Sequence, residues 1–501
     1  MTSRFQPLSA QGGHFAADTA RAPLLFPTFG PEEIVPRKLL WFSLVLAFVI
    51  ANAPPALINA VFLKILQVVF DGGLLSSWGV PKNLDYISGN VTDSIFVPLK
   101  EVLFVFCLLV LLYPILFCCH KAKDVWRNLR PRKITYFALS SFVGLSILVF
   151  PYSYPNGLNS HASGLAGLGT SFGRMSLAPF QEGDPLYYKR ILKPAVAHLM
   201  HLHGYIAYYA FSLLLTVVLL FMVVAFLESR VPTEKTTGLD QPYLNAPVRW
   251  LVYFSLMTSS FILVDFQWPG YSDSLSFILI LLLTLVPMNS QARLATVALC
   301  VLNHEGLALV FVPLIFFSFP REERLPAIMA IGIFYGFMVA SHGFSVLNWF
   351  LGQGAVRETG SVWARVIQEP DVFLAGLFFT YKLFWVLLLW VIWTVRSRYS
   401  RLTLMGLGVI TLFPVPLTLF AWDTTRVAGF GWLGLVMALG LFLKEQSQLS
   451  RSYQYALVSL VFLNLLIPSY NVVIYYKDSF SPYPYPGIYK LLDSVARHMW
   501  S

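Results

Sequence analysis

The sequence predicts an all-α polytopic membrane protein of about 12–13 transmembrane helices, and three observations predict it. The 501-residue chain is 57% hydrophobic and only 12% charged, whereas a soluble domain carries about 25% charged residues. Apolar runs of roughly 17–25 residues, the length that crosses a hydrocarbon core of about 30 Å, recur along it. The cations collect in short segments between those runs, which is how orientation signals are distributed. The net charge of +10 is therefore read as cytoplasmic loop charge, and the partner it implies is the lipid bilayer, with no nucleic acid.

Residues 1–38 read as a cytoplasmic N-terminal segment, without the short apolar region and small-residue cleavage site of a removable signal peptide. N-terminal transmembrane helices occupy 39–151, with apolar runs at 39–66, 100–119 and 134–151. The stretch "HKAKDVWRNLRPRK" carries Lys121, Lys123, Arg127, Arg130, Arg132 and Lys133 and is placed in the cytoplasm, together with Arg396–Arg401 and Lys444–Arg451. Residues 152–204, rich in Gly, Ser and Pro, read as a long irregular extracytoplasmic loop, and such loops often contact substrate.

A transmembrane core is expected over 205–475, with runs at 205–228, 249–267, 275–289, 294–319, 326–344, 371–395, 402–420, 427–444 and 454–475. The loops alternate sides consistently if 294–319 is a re-entrant hairpin of two short helices meeting near "LNHEG". Non-helical backbone at that depth must be buried in protein or face water; a single tilted crossing is the alternative. The tail 476–501, with its "SPYPYPGIYK", suits the extracytoplasmic interface, where Tyr is favoured. The four cysteines, Cys107, Cys118, Cys119 and Cys300, lie in or beside apolar runs without metal-ligand spacing and read as small core residues.

Four polar constellations interrupt this apolar background. "EGDPLYYKRILKP" brings Asp184, Tyr187, Tyr188, Lys189, Arg190 and Lys193 to the membrane edge. "DFQWPGYSDSL" has Asp265 and Asp273 flanking a turn. "LNHEGLALV" sets Asn303, His304 and Glu305 inside an apolar run, and "AWDTTRVAGF" spaces Asp423 and Arg426 three residues apart. Lys382 interrupts the 371–395 run. Ionisable residues inside apolar runs are costly to insert, so Glu305 and Lys382 are expected to have a partner or a task.

Each has a plainer role beside the chemical one. Asp184 before Pro185 suits a helix start, and Lys189, Arg190 and Lys193 suit snorkelling to headgroups. Asp273 suits a helix cap, and Asp423 with Arg426 a surface ion pair. His198, His201 and His203 do not share one helix face, so no metal site is assigned. No cofactor is identified, and a divalent metal requirement is left open.

Sugar transfer from a lipid phosphate needs a carboxylate to take the acceptor's proton. It also needs fixed cations facing the anionic leaving group, a role that suits the guanidinium fork. "DPLYYKRILKP" resembles the first outer loop of bacterial GT-C type integral-membrane glycosyltransferases. "GYSDSLSFILILL", "LNHEGLALVFVPLIFF" and "WDTTRV" resemble further segments of uncharacterised members, over roughly 180–445. His304 and Gly306 depart from the commoner "LNRET", and two spans stand before the module where the family usually has one.

The resemblance implies a GT-C-like fold, a polyprenyl-phosphate-linked sugar donor, a glycan, lipid or protein acceptor, and an active site on the extracytoplasmic face of a bacterial inner membrane. Asp184 would then be the base, or would position the acceptor; Asp273, beside its turn, is taken as a second catalytic residue. From residue type and position alone, Tyr187, Tyr188, Lys189, Arg190, Lys193, Glu305, Lys382, Asp423 and Arg426 are the candidate substrate contacts, with Arg190 and Arg426 at the phosphate. A transporter or flippase for a lipid-linked glycan, and a polysaccharide polymerase or ligase, are the alternatives.

Overall fold

The computed structural model describes residues 33–52, 96–123, 131–148, 166–180, 190–231, 246–267, 270–342, 366–397, 399–420, 423–445, 451–467, 469–472 and 480–482, with Lys64, Gln67, Val68 and Leu129. Asp184, Tyr187, Tyr188, Lys189, residues 1–32 and most of the 476–501 tail lie outside the described residues.

Helices dominate what is described. In chain order they are α1 (Arg37–Asn52), α2 (Val97–Lys121), α3 (Pro131–Leu148), α4 (Ala166–Leu177), α5 (Leu192–Leu199) and α6 (Tyr205–Arg230). Then come α7 (Ala246–Met257), α8 (Ser260–Gln267), α9 (Asp273–Leu285), α10 (Ser290–Asn303), α11 (Glu305–Ser318) and α12 (Arg321–His342). The chain continues through α13 (Pro370–Tyr381), α14 (Phe384–Val395), α15 (Arg401–Leu412), α16 (Pro414–Leu417), α17 (Thr424–Gly429), α18 (Trp432–Glu445) and α19 (Arg451–Leu466). Two three-residue strands, β1 (Tyr470–Val472) and β2 (Phe480–Pro482), pair antiparallel with Asn471 opposite Ser481.

Among the described residues three helices are long and apolar enough to cross a membrane: α2, α12 and the Ala207–Arg230 part of α6. Counting each bent pair as one span, α7 with α8 and α13 with α14 bring the number to five. This is fewer than the run count predicts, and the reason is breakage. The 249–267 run bends by 67° after Met257, and the 371–395 run by 63° after Tyr381. Helices α9, α10, α11, α15 and α18 have 12–14 residues, about 20 Å at 1.5 Å per residue and short of a full crossing.

The exposed surface is apolar in stripes. Along α2, Leu99, Val102, Phe106, Leu109, Tyr113 and Leu116 face outward, while Phe104, Cys107, Leu108 and Leu111 are buried behind them. Residues recurring every three or four positions share a helix face, and an apolar face of this extent suits hydrocarbon rather than water. All four cysteines are free, three of them buried, as the sequence suggests.

Helix α6 runs through the middle, packed against α3, α9 and α18, and α10 packs on α2, α9, α11 and α12. One expectation changes here. The 152–204 segment is not wholly irregular, because α4 and α5 lie in it and pack on each other. The 294–319 run is indeed two helices rather than one continuous crossing. It breaks at His304, whose backbone is extended (φ −156°, ψ 107°) and whose Nδ1 accepts the Gly306 amide at 3.0 Å to cap α11.

Close helix contact needs glycine at one crossing. A Cβ at Gly434 on α18 would strike Thr411 Oγ1 and come within 2.8 Å of Leu407 O on α15. Gly434→Ala is therefore expected to cost about 1–3 kcal/mol through overpacking. Gly408→Ala, at a position with nothing within 4 Å, is expected to leave the melting temperature unchanged or raise it slightly. Thermal unfolding of the two purified variants in one detergent checks the difference, and equal shifts would sink it.

Candidate functional site

Four segments far apart in sequence meet at the start of α9. The turn that opens this helix is held from two sides. Tyr208 on α6 donates its hydroxyl to Gly270 O at 2.9 Å, and Lys193 on α5 donates to Tyr271 O. Gly270 has φ 117°, a conformation that residues with a Cβ rarely adopt. Asn303, the last residue of α10, donates to Ser272 O and, at 2.8 Å, to Ser276 Oγ.

The turn presents Asp273, whose side chain is wholly buried. Its carboxylate takes both arms of Arg426 from α17: Nε to Oδ2 at 2.7 Å and Nη2 to Oδ1 at 3.0 Å. Paired, parallel bonds of this kind are stronger and more directional than single contacts. His304 completes the set. Its Nδ1 is already an acceptor for the Gly306 amide, so in a neutral ring the proton sits on Nε2. That atom lies 3.4 Å from Asp273 Oδ1 and 3.2 Å from Arg426 Nη2, against both members of the pair. Tyr271 underlies the guanidinium, 4.1 Å from ring centroid to Arg426 Cζ, and Phe430 stands at 5.8 Å.

The guanidinium has five N–H donors, and Asp273 uses two of them. No described residue accepts a hydrogen bond from Nη1, and the Arg426 side chain keeps 11% of its surface exposed. One edge of a fixed arginine is thus committed to a carboxylate, and the other is uncommitted among the described residues.

Asp423 plays a different part from the ion pair its spacing suggests. Its Oδ1 accepts the Arg426 backbone amide at 3.1 Å and the Thr425 hydroxyl at 3.4 Å, capping α17. The cap fixes the turn while the Arg426 side chain reaches across to Asp273. Desolvation of the carboxyl, helped by the Asp273 charge and opposed by Arg426, pushes Asp423 up to about 6.

Arg190 and Lys193 are buried at the start of α5, rather than snorkelling to headgroups. Burial pushes the Lys193 ammonium down to about 8 against the pull of Asp265 and Asp273. Arg190 lies close enough to Asp273 to act on its charge.

Asp265 on α8 joins the same cluster, although its flanking position in "DFQWPGYSDSL" is the one signal for it in the sequence. It is 2% exposed, accepts the Ser274 amide, and has Oδ2 without a hydrogen-bond partner. Ser272 Oγ and Asn303 Oδ1 are also buried and unpartnered. Among the described residues no group of three or more His, Cys, Asp or Glu is arranged to hold a metal ion.

The remaining sequence candidates divide. Glu305 is the first residue of α11, next to His304, and its side chain is outside the description. Lys382 is not part of the Asp273 cluster. It sits at the break between α13 and α14 with φ 51°, donating to Thr258 Oγ1, Ile467 O and Ser469 Oγ at 3.2, 3.1 and 3.0 Å. Its task is to satisfy polar atoms at two helix breaks.

Comparisons with protein-family models, curated proteins and solved structures return no match.

Two predictions follow from the cluster's energetics. Arg426→Met leaves Asp273 buried without its cation and is expected to cost about 3–5 kcal/mol. Asp273→Asn combined with Arg426→Met is expected to recover part of that loss, and additive losses in thermal melts would contradict the pairing. For Asp423 the folded form holds its proton more tightly than the unfolded chain. The stability this provides is full below about pH 4 and is lost as the pH rises to about 6. Asp423→Asn keeps the cap, so melts between pH 4 and 7 should show a flatter profile and a variant relatively more stable at pH 7.

Proposed function

We propose that the protein is a membrane glycosyltransferase, GT-C-like, that moves a sugar from a polyprenyl-phosphate-linked donor to an extracytoplasmic acceptor. The observation that carries this reading is Arg426. A buried carboxylate fixes one edge of its guanidinium, and the Nη1 edge has no described partner. A preset cation of this kind stabilises charge that develops on a departing phosphate without reorganising during the reaction. Arg190 and Lys193 add positive charge beside it. The N-termini of α9 and α11, at Asp273 and His304, add their partial positive ends.

Within this reading Asp273 orients Arg426 and is not the proton acceptor, since both its oxygens already accept hydrogen bonds. Asp184 remains the base that the sequence resemblance assigns. Asp265, with an oxygen to spare, is the second carboxylate to test.

A second reading has its own support. The bends of 67° and 63° set two broken helices side by side around Lys382, and broken helices often line transport pathways. A transporter or flippase for a lipid-linked glycan would move its cargo without a covalent product.

The test is an assay of protein reconstituted in lipid with radiolabelled polyprenyl-phosphate sugars and candidate acceptors. The transferase reading expects a labelled product, a loss of about 10²–10⁴-fold in rate for Asp184→Asn, and a comparable loss for Arg426→Lys. Full activity in both variants would remove the assigned roles. Movement of label across the vesicle with no product would select the transporter.

A further inference from the structure

We propose that a second copy of this chain packs on the outward face of α12, with the two-fold axis along the membrane normal. The sequence of this helix is "REERLPAIMAIGIFYGFMVASH". Gly332, Gly336 and Ala340 recur every four residues and so stack on one side of it. All three are exposed, and a Cβ added at Gly332 or Gly336 would meet nothing within 4 Å. Among the described residues this is the least covered of the three long spans, with 28% of its apolar window buried. In hydrocarbon no hydrophobic drive brings helices together. Small residues at this spacing do so by letting backbones approach closely.

The charges at the head of the helix identify the occupant. With 3.6 residues per turn, Arg321 falls about 60° to one side and Glu322 about 40° to the other side of the centre of the small-residue stripe. Both are exposed, and neither forms an ion pair with a described residue. The next two residues turn inward: Glu323 pairs with Arg293, and Arg324 donates to Phe319 O at 3.0 Å.

When two parallel helices are related by a two-fold axis between them, one flank of each faces the opposite flank of the other. Arg321 of one copy then meets Glu322 of its partner, twice, at the same end of the interface. This is how flanking charges set partner and orientation in parallel coiled coils. An antiparallel pair would separate these charges by the length of the helix. Two copies inserted with the same orientation in one membrane present α12 in the parallel sense. The face is thus complementary to itself in shape and in charge.

The experiment is single-molecule photobleaching of labelled full-length protein in lipid vesicles over a range of protein-to-lipid ratios. A reversible dimer is expected. Gly332→Ile with Gly336→Ile should raise its dissociation constant by about ten-fold or more. Arg321→Glu alone should weaken it, and adding Glu322→Arg should restore it. The charge variants lie on exposed positions, so they test the interface without loading the fold. A chain that stays monomeric at every density overturns the proposal. So does a dimer indifferent to both sets of changes, or association only with a different co-purifying protein. Glycosyl transfer plays no part in the measurement.

Discussion

The buried pair of Asp273 and Arg426 is the constraint around which the described core is arranged. A lone charge in a low-dielectric interior is costly, and the cost is met only with good geometry and further hydrogen bonds. That requirement brings the first residue of α9, the cap of α11 and the first turn of α17 to one point. It also explains why the turn before α9 is held so heavily, by Tyr208, Lys193 and Asn303. A carboxylate that must face a guanidinium across 153 positions of sequence needs its backbone fixed.

The helix breaks obey the same rule. Breaking a helix inside lipid frees amides and carbonyls that water cannot reach, so protein groups must meet them. At the α7–α8 break, Ser469 Oγ donates to Thr258 O at 3.1 Å, while Ser260 Oγ lies 3.0 Å from Thr425 O and 3.2 Å from Thr380 O. At the α13–α14 break, Asn464 accepts the Leu383 amide at 2.9 Å, and the Lys382 ammonium reaches Thr258, Ile467 and Ser469. An ammonium has three donors and no acceptor, which suits a place where carbonyl and hydroxyl oxygens gather.

Much of this was legible in the sequence because insertion chemistry is unforgiving. Polar residues inside apolar runs stand out, and "LNHEG", "GYSDSL" and "WDTTR" were all visible as interruptions. The break at His304 was readable for the same reason. The pairings were not readable. Asp423 and Arg426 at three-residue spacing suggest a local pair, yet the backbone takes one and Asp273 takes the other. Nothing local distinguishes the two outcomes, because the partner is set by tertiary packing. Lys382 stood out as an intramembrane cation, but its oxygen partners sit at helix ends that only the fold brings together. The breaks near Thr258 and Lys382 carried no proline or glycine at the bend, so run length alone made each segment look like one crossing.

The two networks are joined, and the joint determines how firmly Arg426 is held. Helix α17 has only six residues, and its position is set by its neighbours α8, α13, α16 and β1. Its N-terminal end is tied by the Asp423 cap, and its last carbonyls, Ala428 O and Gly429 O, accept the Tyr381 hydroxyl at 3.1 and 2.9 Å. Tyr381 immediately precedes Lys382, so the residue that satisfies the break and the residue that holds α17 share one turn of backbone. Ser260, at the other break, lies against Thr425 O from the same short helix. Both breaks thus contact α17 within three residues of Arg426. That coupling is why the transferase and transporter readings use one set of contacts. In the first the breaks are a rigid mount for Arg426, and in the second Arg426 is the part that the breaks move.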